Sequence, residues 1–429
     1  MLDKPVVGQT GSGNSGPGDL WPKGALDGLR ILDLSRVLAG PWCAQILGDL
    51  GAEVIKIEQP GQRDDTRTWR PPWNVEPEGV ERARSAYYLS CNRNKHSVAI
   101  NLASDEGADL IRQIAASSDV VIENFKCGGL AKYGLDYASL SKIKPDLIYC
   151  SITGFGQTGP YAHRGGYDFL IQGMSGLMSI TGQPDGAPGA EPLKVGVAVS
   201  DLFTGLYATI SILAAVQHRR NTGIGQHIDL ALLDTQVAVL ANQAMNWLVG
   251  QKVPGRLGNG HPNVVPYRCF ATSDGHIIVA CGNDRQFRAL TTALGREDLR
   301  DDPRFADNSG RQLNRGHLEA GLEDSIAKWT SADVLALLEK AGVPCGPINR
   351  IDQIFADPHI AARGLVSSFD GQGGADIPVV GFPARLSASP ATYRKPPPHL
   401  GADTETVLEQ VLGLTAADTE RLRAAGVIG

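Results

Sequence analysis

Between Leu29 and Thr153 the chain alternates short runs of branched apolar residues with segments of helical periodicity, and this alternation restricts the fold more than any other feature. Leu29 to Leu34 (LRILDL) reads as a strand, and Ala39 to Leu50 reads as a helix stopped by Gly51. Glu53 to Ile57 (EVIKI) resumes the extended pattern, and the polar, proline-containing stretch from Gln59 to Arg84 reads as loop. Ser97 to Leu102, Asp119 to Phe125 and Asp146 to Thr153 are further strands, separated by helices over Asp105 to Ser117 and Tyr137 to Ile143. Parallel strands need a crossover and the crossover is usually a helix, so this order predicts an α/β fold of βαβ units. Further helices are expected between Tyr167 and Met178 and from Asp201 to Arg219.

After Gly223 the texture changes. Leu232 to Gly250 reads as one helix, and Tyr267 to Thr272 with His276 to Ala280 reads as a β-hairpin around Ser273-Asp274-Gly275. Helices continue to Ala341, and a proline- and glycine-rich return begins at Val343. Two short helices, Thr404 to Leu412 and Ala416 to Ala425, close the pattern. A chain of 429 residues is long enough for two or three domains. The expected division is a flexible tail over residues 1–24, a large α/β domain over 25–223, a small domain over 224–342, and a segment over 343–429 completing the large one.

The totals exclude several classes. Forty basic against 46 acidic residues give a net charge of −6, which opposes bulk attraction to nucleic acid or to an anionic membrane. The seven cysteines (43, 91, 127, 150, 269, 281 and 345) are odd in number, scattered and without a CxxC pair. Neither a disulfide framework nor a zinc site is expected, and a reducing compartment, the cytoplasm, is. No run is read as reaching the roughly 18 apolar residues of a membrane helix, and the N-terminal residues lack the apolar core of a secretory signal. No metal and no serine-hydrolase triad is expected, since HExxH and GxSxG are absent.

Five stretches can carry chemistry. Ser35 to Pro41 follows the first strand, where nucleotides often sit, but has one glycine where a dinucleotide fingerprint needs three. Asn92 to His96 is either a solvated charge run or a phosphate clamp. Glu123-Asn124-Phe125 stands at the C-terminal end of a strand, the end beyond which ligands lie in α/β sheets. At Ser200-Asp201 an extended run meets a long helix; capping explains these residues, and so does an Asp kept ionised by amides and helix dipole for attack on an acyl group. The loop Gly255 to Asn263, with Gly258, Asn259, Gly260 and His261, is either a connection or a lid.

Together these stretches resemble the class III CoA-transferases, the family of formyl-CoA, carnitine and bile-acid CoA-transferases. The resemblance is carried by LDGLRILDLSRVLAGPWCAQILGDLGAEVIKIE, CNRNKHSVAINL, DVVIENF with GLAKYGL, YCSITGFGQTGP, GGYDFLIQGMSGLMSITG, VGVAVSDLFTGLYA, GNGHPNVVPY, ATSDGHIIVACGN and VPCGPIN. It implies Asp201 as covalent nucleophile. It implies CoA contacts at Leu38 and Ala39, around Ile100, at Asn124, Phe125 and Lys126, at Lys132, and over Arg164, Gly165, Gly166, Tyr167 and Asp168. It also implies a large Rossmann-like domain built from both chain ends, a smaller α+β domain, and ring-shaped subunits interlocked as a homodimer. CoA and acyl-CoA enter as substrates, with no tightly bound cofactor.

The implied reaction passes CoA from an acyl-CoA donor to a carboxylic acid through aspartyl anhydrides and an aspartyl-CoA thioester. The SITGFGQTGP and GNGHPNVVPY stretches look closest to members that pair succinyl-CoA with a dicarboxylic acid, whose second carboxylate needs a cation such as Arg164, His261 or Arg268. Formyl-CoA:oxalate transfer is the alternative within the class, and Gln59 and Leu38 depart from that enzyme's pattern. The α-methylacyl-CoA racemases share the fold and carry a His where this chain has Tyr167; racemisation needs two groups to exchange a proton at one carbon.

Overall fold

The alternation builds one parallel sheet. The computed structural model of the protein describes residues 24–61, 63–69, 72, 85–370 and 376–429, so all but Gly24 of the expected tail (1–24) and much of the loop from Gln59 to Arg84 lie outside the described residues. The elements β1 (Arg30–Asp33), α1 (Ala39–Asp49), β2 (Glu53–Glu58), α2 (Ala86–Cys91), β3 (Lys95–Ala99), α3 (Asp105–Ala116), β4 (Val120–Glu123), α4 (Tyr137–Ile143) and β5 (Ile148–Thr153) succeed one another. The helix expected between Tyr167 and Met178 is two, α5 (Asp168–Met174) and α6 (Leu177–Ile180), parted at Gly176 with φ of 91°. Then come α7 (Val199–Thr222), β6 (Gln226–Ala231) and α8 (Leu232–Ala238).

Among the described residues the six parallel strands lie in the order β3-β2-β1-β4-β5-β6. That is the strand order of dinucleotide-binding sheets. The chain winds one way to β3 and the other way from β4, so the loops after β1 and β4 part and leave a crevice at the C-terminal edge. Side chains alternate between two buried faces, as expected for a covered parallel sheet. Leu32, Ile55, Val98, Val121 and Tyr149 face one core with α3 and α4. Ile31, Val54, Val120, Ile148 and Cys150 face the other, against Cys43 and Leu47 of α1 and Ala208, Ile212 and Ala215 of α7.

Helix α7 corrects one expectation. By length and composition it is apolar enough to cross a membrane, because glycine, serine and threonine interrupt an apolar run without making a helix polar. In the fold, one of its faces is spent on that core.

The structure divides into two compact units. The first comprises the described residues within 24–175, 195–239 and 358–429, and the second 176–194 and 240–357. The boundaries expected at 223 and 342 are displaced because strands at each junction pair elsewhere: β6 joins β5 in the large sheet, so the first unit continues to Val239. The single helix expected over Leu232 to Gly250 is also two, α8 and α9 (Ala241–Gly250), on either side of that boundary, with Ala241 at φ of 47°.

The second unit carries the expected hairpin, β7 (Tyr267–Ala271) and β8 (His276–Ala280), with β9 (Cys345–Pro347) added antiparallel to β8. That pairing holds the segment after Val343 in the second unit. Phe270, Ile277, Phe287, Phe305, Leu322 and Leu338 are its core. Within it, the Gly258 amide donates to the Gly182 carbonyl (3.0 Å), Asn259 is exposed, and Gly260 donates to Leu257 (2.9 Å). His261 uses Nδ1 to accept the amides of Asn263 (3.0 Å) and Val264 (3.1 Å).

Candidate active site

The crevice between β1 and β4 is bordered by the two turns named from the sequence. After β1, Leu38 and Ala39 open α1, both buried. After β4 come Asn124, Phe125 and Lys126. The Asn124 side chain ties the two turns together: its Oδ1 accepts the Arg36 amide (2.9 Å) and its Nδ2 donates to the Arg36 carbonyl (2.7 Å). An open cleft, about 480 Å³ with the solvent at its mouth counted, lies beside them, walled by Leu34, Ile57, Leu102 and Phe125, with Arg36, Glu58, Gln59 and Asp64 at its polar side. The Arg36 guanidinium stands 5.5 Å over the Phe125 ring.

The turn after β1 is strained. Val37 has φ of 71°, a left-handed conformation that costs a β-branched residue on the order of 1–3 kcal/mol. It is held by groups from distant parts of the chain: Asp64 accepts the Val37 amide (3.4 Å), Lys56 donates to the Ser35 carbonyl (2.8 Å), and the Cys91 thiol donates to the Val37 carbonyl (3.7 Å).

Helix α7 brings Asp201 to the same edge. A Cβ built on Gly205 would stand 2.7 Å from the Ala39 carbonyl oxygen, so the absence of a side chain lets α7 lie directly on the start of α1. Asp201 is in the first turn of α7. Its carboxylate accepts no hydrogen bond among the described residues. The helix N-terminus is instead capped from α5: the Ser200 amide donates to Asp168 Oδ1 (2.8 Å), while Gln172 donates to Asp168 Oδ2 (2.7 Å). Burial, with the negative charge of Asp168 added, pushes the Asp201 carboxyl up to about 7. The sequence expectation of an Asp kept ionised by amides and dipole is therefore corrected, because Asp168 takes the amide. A carboxylate that protonates near neutrality is more basic, hence more nucleophilic, than a solvated one.

The segment 164–168 closes on the end of β5. Gly154 and Gly166 meet backbone to backbone: a Cβ on Gly154 would lie 2.6 Å from the Gly166 Cα. Arg164 stacks on Tyr161 (4.8 Å) and Phe155 (5.1 Å), and Gly165 beside it is exposed. Tyr167 is 70% exposed.

Comparison with known proteins decides what this arrangement is. The sequence profile of CoA-transferase family III matches residues 26–404. The chain belongs to CoA-transferase family III. It is 50% identical over 389 residues to the succinate–glutarate CoA-transferase of Agrobacterium fabrum, covering 91% of this chain and 96% of that one. It is 43% identical to the human succinyl-CoA:glutarate CoA-transferase, covering 94% and 90% respectively. A CaiB/BaiF family protein from Brucella suis has a similar structure, with TM-score 0.79, 50% identity, and coverage of 91% of this chain and 100% of that one.

In this family III CoA-transferase, not every residue named from the sequence reaches the crevice. Ile100 is fully buried, bridged to Ile428 within the core, and presents no side-chain surface to a ligand. Lys132 lies on a short 3-10 turn, exposed, with its ammonium 4.6 Å over the Tyr133 ring. The run Asn92 to His96 is neither a solvated face nor an open clamp. Arg93 is buried on Asp49, and Lys95, with no exposed surface, donates to Asp33 (3.0 Å), Asn92 (3.0 Å) and the Pro41 carbonyl (2.9 Å). Burial acts to raise the Asp33 pKa, but Lys95, Lys56 and Ser35 together hold it below the usual range. These charges fasten the turn that holds Leu38 and Ala39.

One residue near the nucleophile escaped sequence reading. Tyr87 on α2 is raised in pKa by burial first and then by the charges of Asp201, Cys91 and Asp168, so its phenol lies within their field. It stacks edge-on with Trp69 at 5.0 Å. The only signal was an aromatic pair, Tyr87-Tyr88, ahead of a strand.

Proposed function

We propose that the protein passes CoA from succinyl-CoA to glutarate, or to a dicarboxylic acid of similar length, with Asp201 as the covalent nucleophile. One observation carries the chemistry: a carboxyl group at the edge of the sheet that has no hydrogen-bond donor among the described residues and protonates at about 7. The relatives named for succinate and glutarate support the acid pair.

Asp201 attacks the thioester carbonyl, and the CoA thiolate leaves as a mixed anhydride forms. The thiolate returns to the aspartyl carbonyl, releasing succinate and leaving an aspartyl-CoA thioester. The acceptor carboxylate then displaces CoA in the same way, and CoA attacks the acceptor's acyl carbon to give the new thioester and free Asp201. Each covalent step divides one difficult exchange into easier ones. Leu38, Ala39 and the Asn124–Lys126 turn hold CoA at the switch point. Arg164, which pairs with no carboxylate among the described residues, suits the second carboxylate of the acid; Arg268 is already bonded to Glu319 (2.8 Å).

A homodimer of interlocked, ring-shaped subunits belongs to the same proposal. Phe203, Leu206, Tyr207 and Ile210 form an exposed apolar stripe on α7 at spacings of three and four residues. A stripe of that kind marks an interaction surface. Light scattering gives the mass in solution.

The deciding experiment is intact mass after incubation with succinyl-CoA, followed by hydroxylamine or borohydride trapping. An adduct at Asp201, absent from Asp201→Ala, is the expected result. Absence of any adduct in the wild type across a panel of acyl-CoAs would overturn the covalent mechanism.

A further inference from the structure

Beneath the Asn124–Lys126 turn lies a titratable group that the transfer chemistry does not use. Glu123, the last residue of β4, is 5% exposed and forms no ion pair among the described residues. Its Oε2 accepts the Phe125 amide (2.8 Å), so the carboxyl group sets the path of the turn itself. Ser151 stands directly opposite on β5. The Ser151 Oγ lies 2.9 Å from Nε2 of His227 on β6, and His227 is partly exposed and stacked on Tyr137 at 5.0 Å.

We infer that Glu123, Ser151 and His227 form a solvent-linked protonation unit under the turn, and that CoA binding at the turn draws a proton onto Glu123. The inference rests on the assignment of that turn to CoA. A buried carboxylate with no counter-cation is already costly, and a polyanion brought to the adjacent backbone raises the cost further. The neutral acid is the form compatible with bound CoA.

The surroundings agree. Burial pushes the Glu123 carboxyl up to about 7, against the Ser151 hydroxyl and Phe125 amide, which favour the charged form. On β5, Tyr149 is pushed up by burial and then by the Glu123 charge, and Cys150 by burial and then by Cys43 and Glu123, so neither supplies charge near neutrality. On β6, burial lowers the His227 pKa while the Asp229 carboxylate raises it, and Asp229 is itself occupied by the Gln157 amide (3.0 Å). Above the turn, the Arg36 cation lies over the Phe125 ring (5.5 Å) and Lys126 is exposed.

The hydrogen bonds can run in either direction. With Glu123 ionised and His227 neutral, a proton taken up from solvent by the His227 ring lets Nε2 pass its proton to Ser151 Oγ as the serine proton moves on to Glu123. The carboxyl and the imidazole are then both neutral, and one proton has been gained from solvent.

The test is calorimetry of dephospho-CoA binding to the full-length Asp201→Asn protein, which removes the other carboxyl titrating near 7. Dephospho-CoA lacks the phosphomonoester that would titrate in the same range. Binding at pH 7 in two buffers of different ionisation enthalpy should show proton uptake, and affinity should fall as pH rises from 6 to 8.5, by about tenfold if binding raises the Glu123 pKa by one unit. Adding Glu123→Gln should abolish the uptake and flatten the profile while keeping the low-pH affinity. Ser151→Ala, which removes a donor to the charged form, should move the fall to higher pH. Uptake unchanged in Glu123→Gln overturns the role of Glu123, and an unmoved profile in Ser151→Ala overturns the unit. Affinity unaltered by Asn124→Ala shows instead that the turn is not the CoA site, and the coupling falls with it.

Discussion

Asp168 accepts the backbone amide of Ser200 at 2.8 Å, and in doing so takes the helix N-terminus away from the neighbouring Asp201. Two carboxylates share the start of α7 and are driven apart by environment. Asp168 is doubly hydrogen-bonded, while Asp201 is half-buried with no donor among the described residues and lies in the field of the first. Unequal carboxyl groups of this kind are how one site keeps a basic nucleophile at neutral pH.

Asp168→Asn keeps an oxygen for the Ser200 amide and removes the negative charge. The Asp201 pKa should fall, and with it the acidic limb of the kcat/KM profile should move from about 7 to lower pH. The pH profiles of the two proteins check this; superimposable limbs would show that burial alone sets the nucleophile.

The carboxyl group of Asp201, with no hydrogen-bond partner among the described residues, is a cost to the fold. Its folded pKa, about 7, lies above the ordinary value of 3.8, so stability is greatest where the group is protonated in both states and is lost as pH rises between those values. Above about 7 the loss is constant, at most about 4 kcal/mol. Asp201→Asn should therefore be inactive yet more stable than the wild type at pH 7.5, with the difference vanishing near pH 4. Urea denaturation at both pH values measures it.

Gly205→Val places a Cβ within 2.7 Å of the Ala39 carbonyl and 3.0 Å of the Trp42 ring. Overpacking of this kind costs about 1–3 kcal/mol. A shift of α7 by about 1 Å carries Asp201 with it, which should lower kcat by about a hundredfold in protein that still folds. Thermal melts and steady-state kinetics separate the two effects.

Lys95→Met leaves Asp33 buried without its nearest cation and removes the Lys95 donor to the Pro41 carbonyl. The loss should be about 3–5 kcal/mol, large enough to read as low soluble yield. A surface role for the Asn92 to His96 run would instead give a change within about 0.5 kcal/mol.

The strands and most helices were legible because their periods are local: LRILDL, EVIKI and DVVIENF each present a strand in a few residues. The Leu232 to Gly250 helix was misread because its apolar pattern runs on, while the break at Ala241 is a backbone conformation set by the unit boundary. Tyr87 was illegible because nothing in its neighbours along the chain distinguishes it from a core aromatic. The Asn92 to His96 charges misled for a related reason, since their partners Asp33 and Asp49 lie about 45 to 60 residues away.

The sequence by itself determined the parallel α/β plan, the family, and the position of an aspartate where an extended run meets the long helix, because periodicity and motif are short-range properties of the chain. Only the tertiary structure decided that Asp168 and not Asp201 caps that helix, that Lys95 is a buried fastening, and that Ile100 is core. Those outcomes depend on desolvation and on charges brought together from positions tens of residues apart, and neither is written in any one stretch of residues.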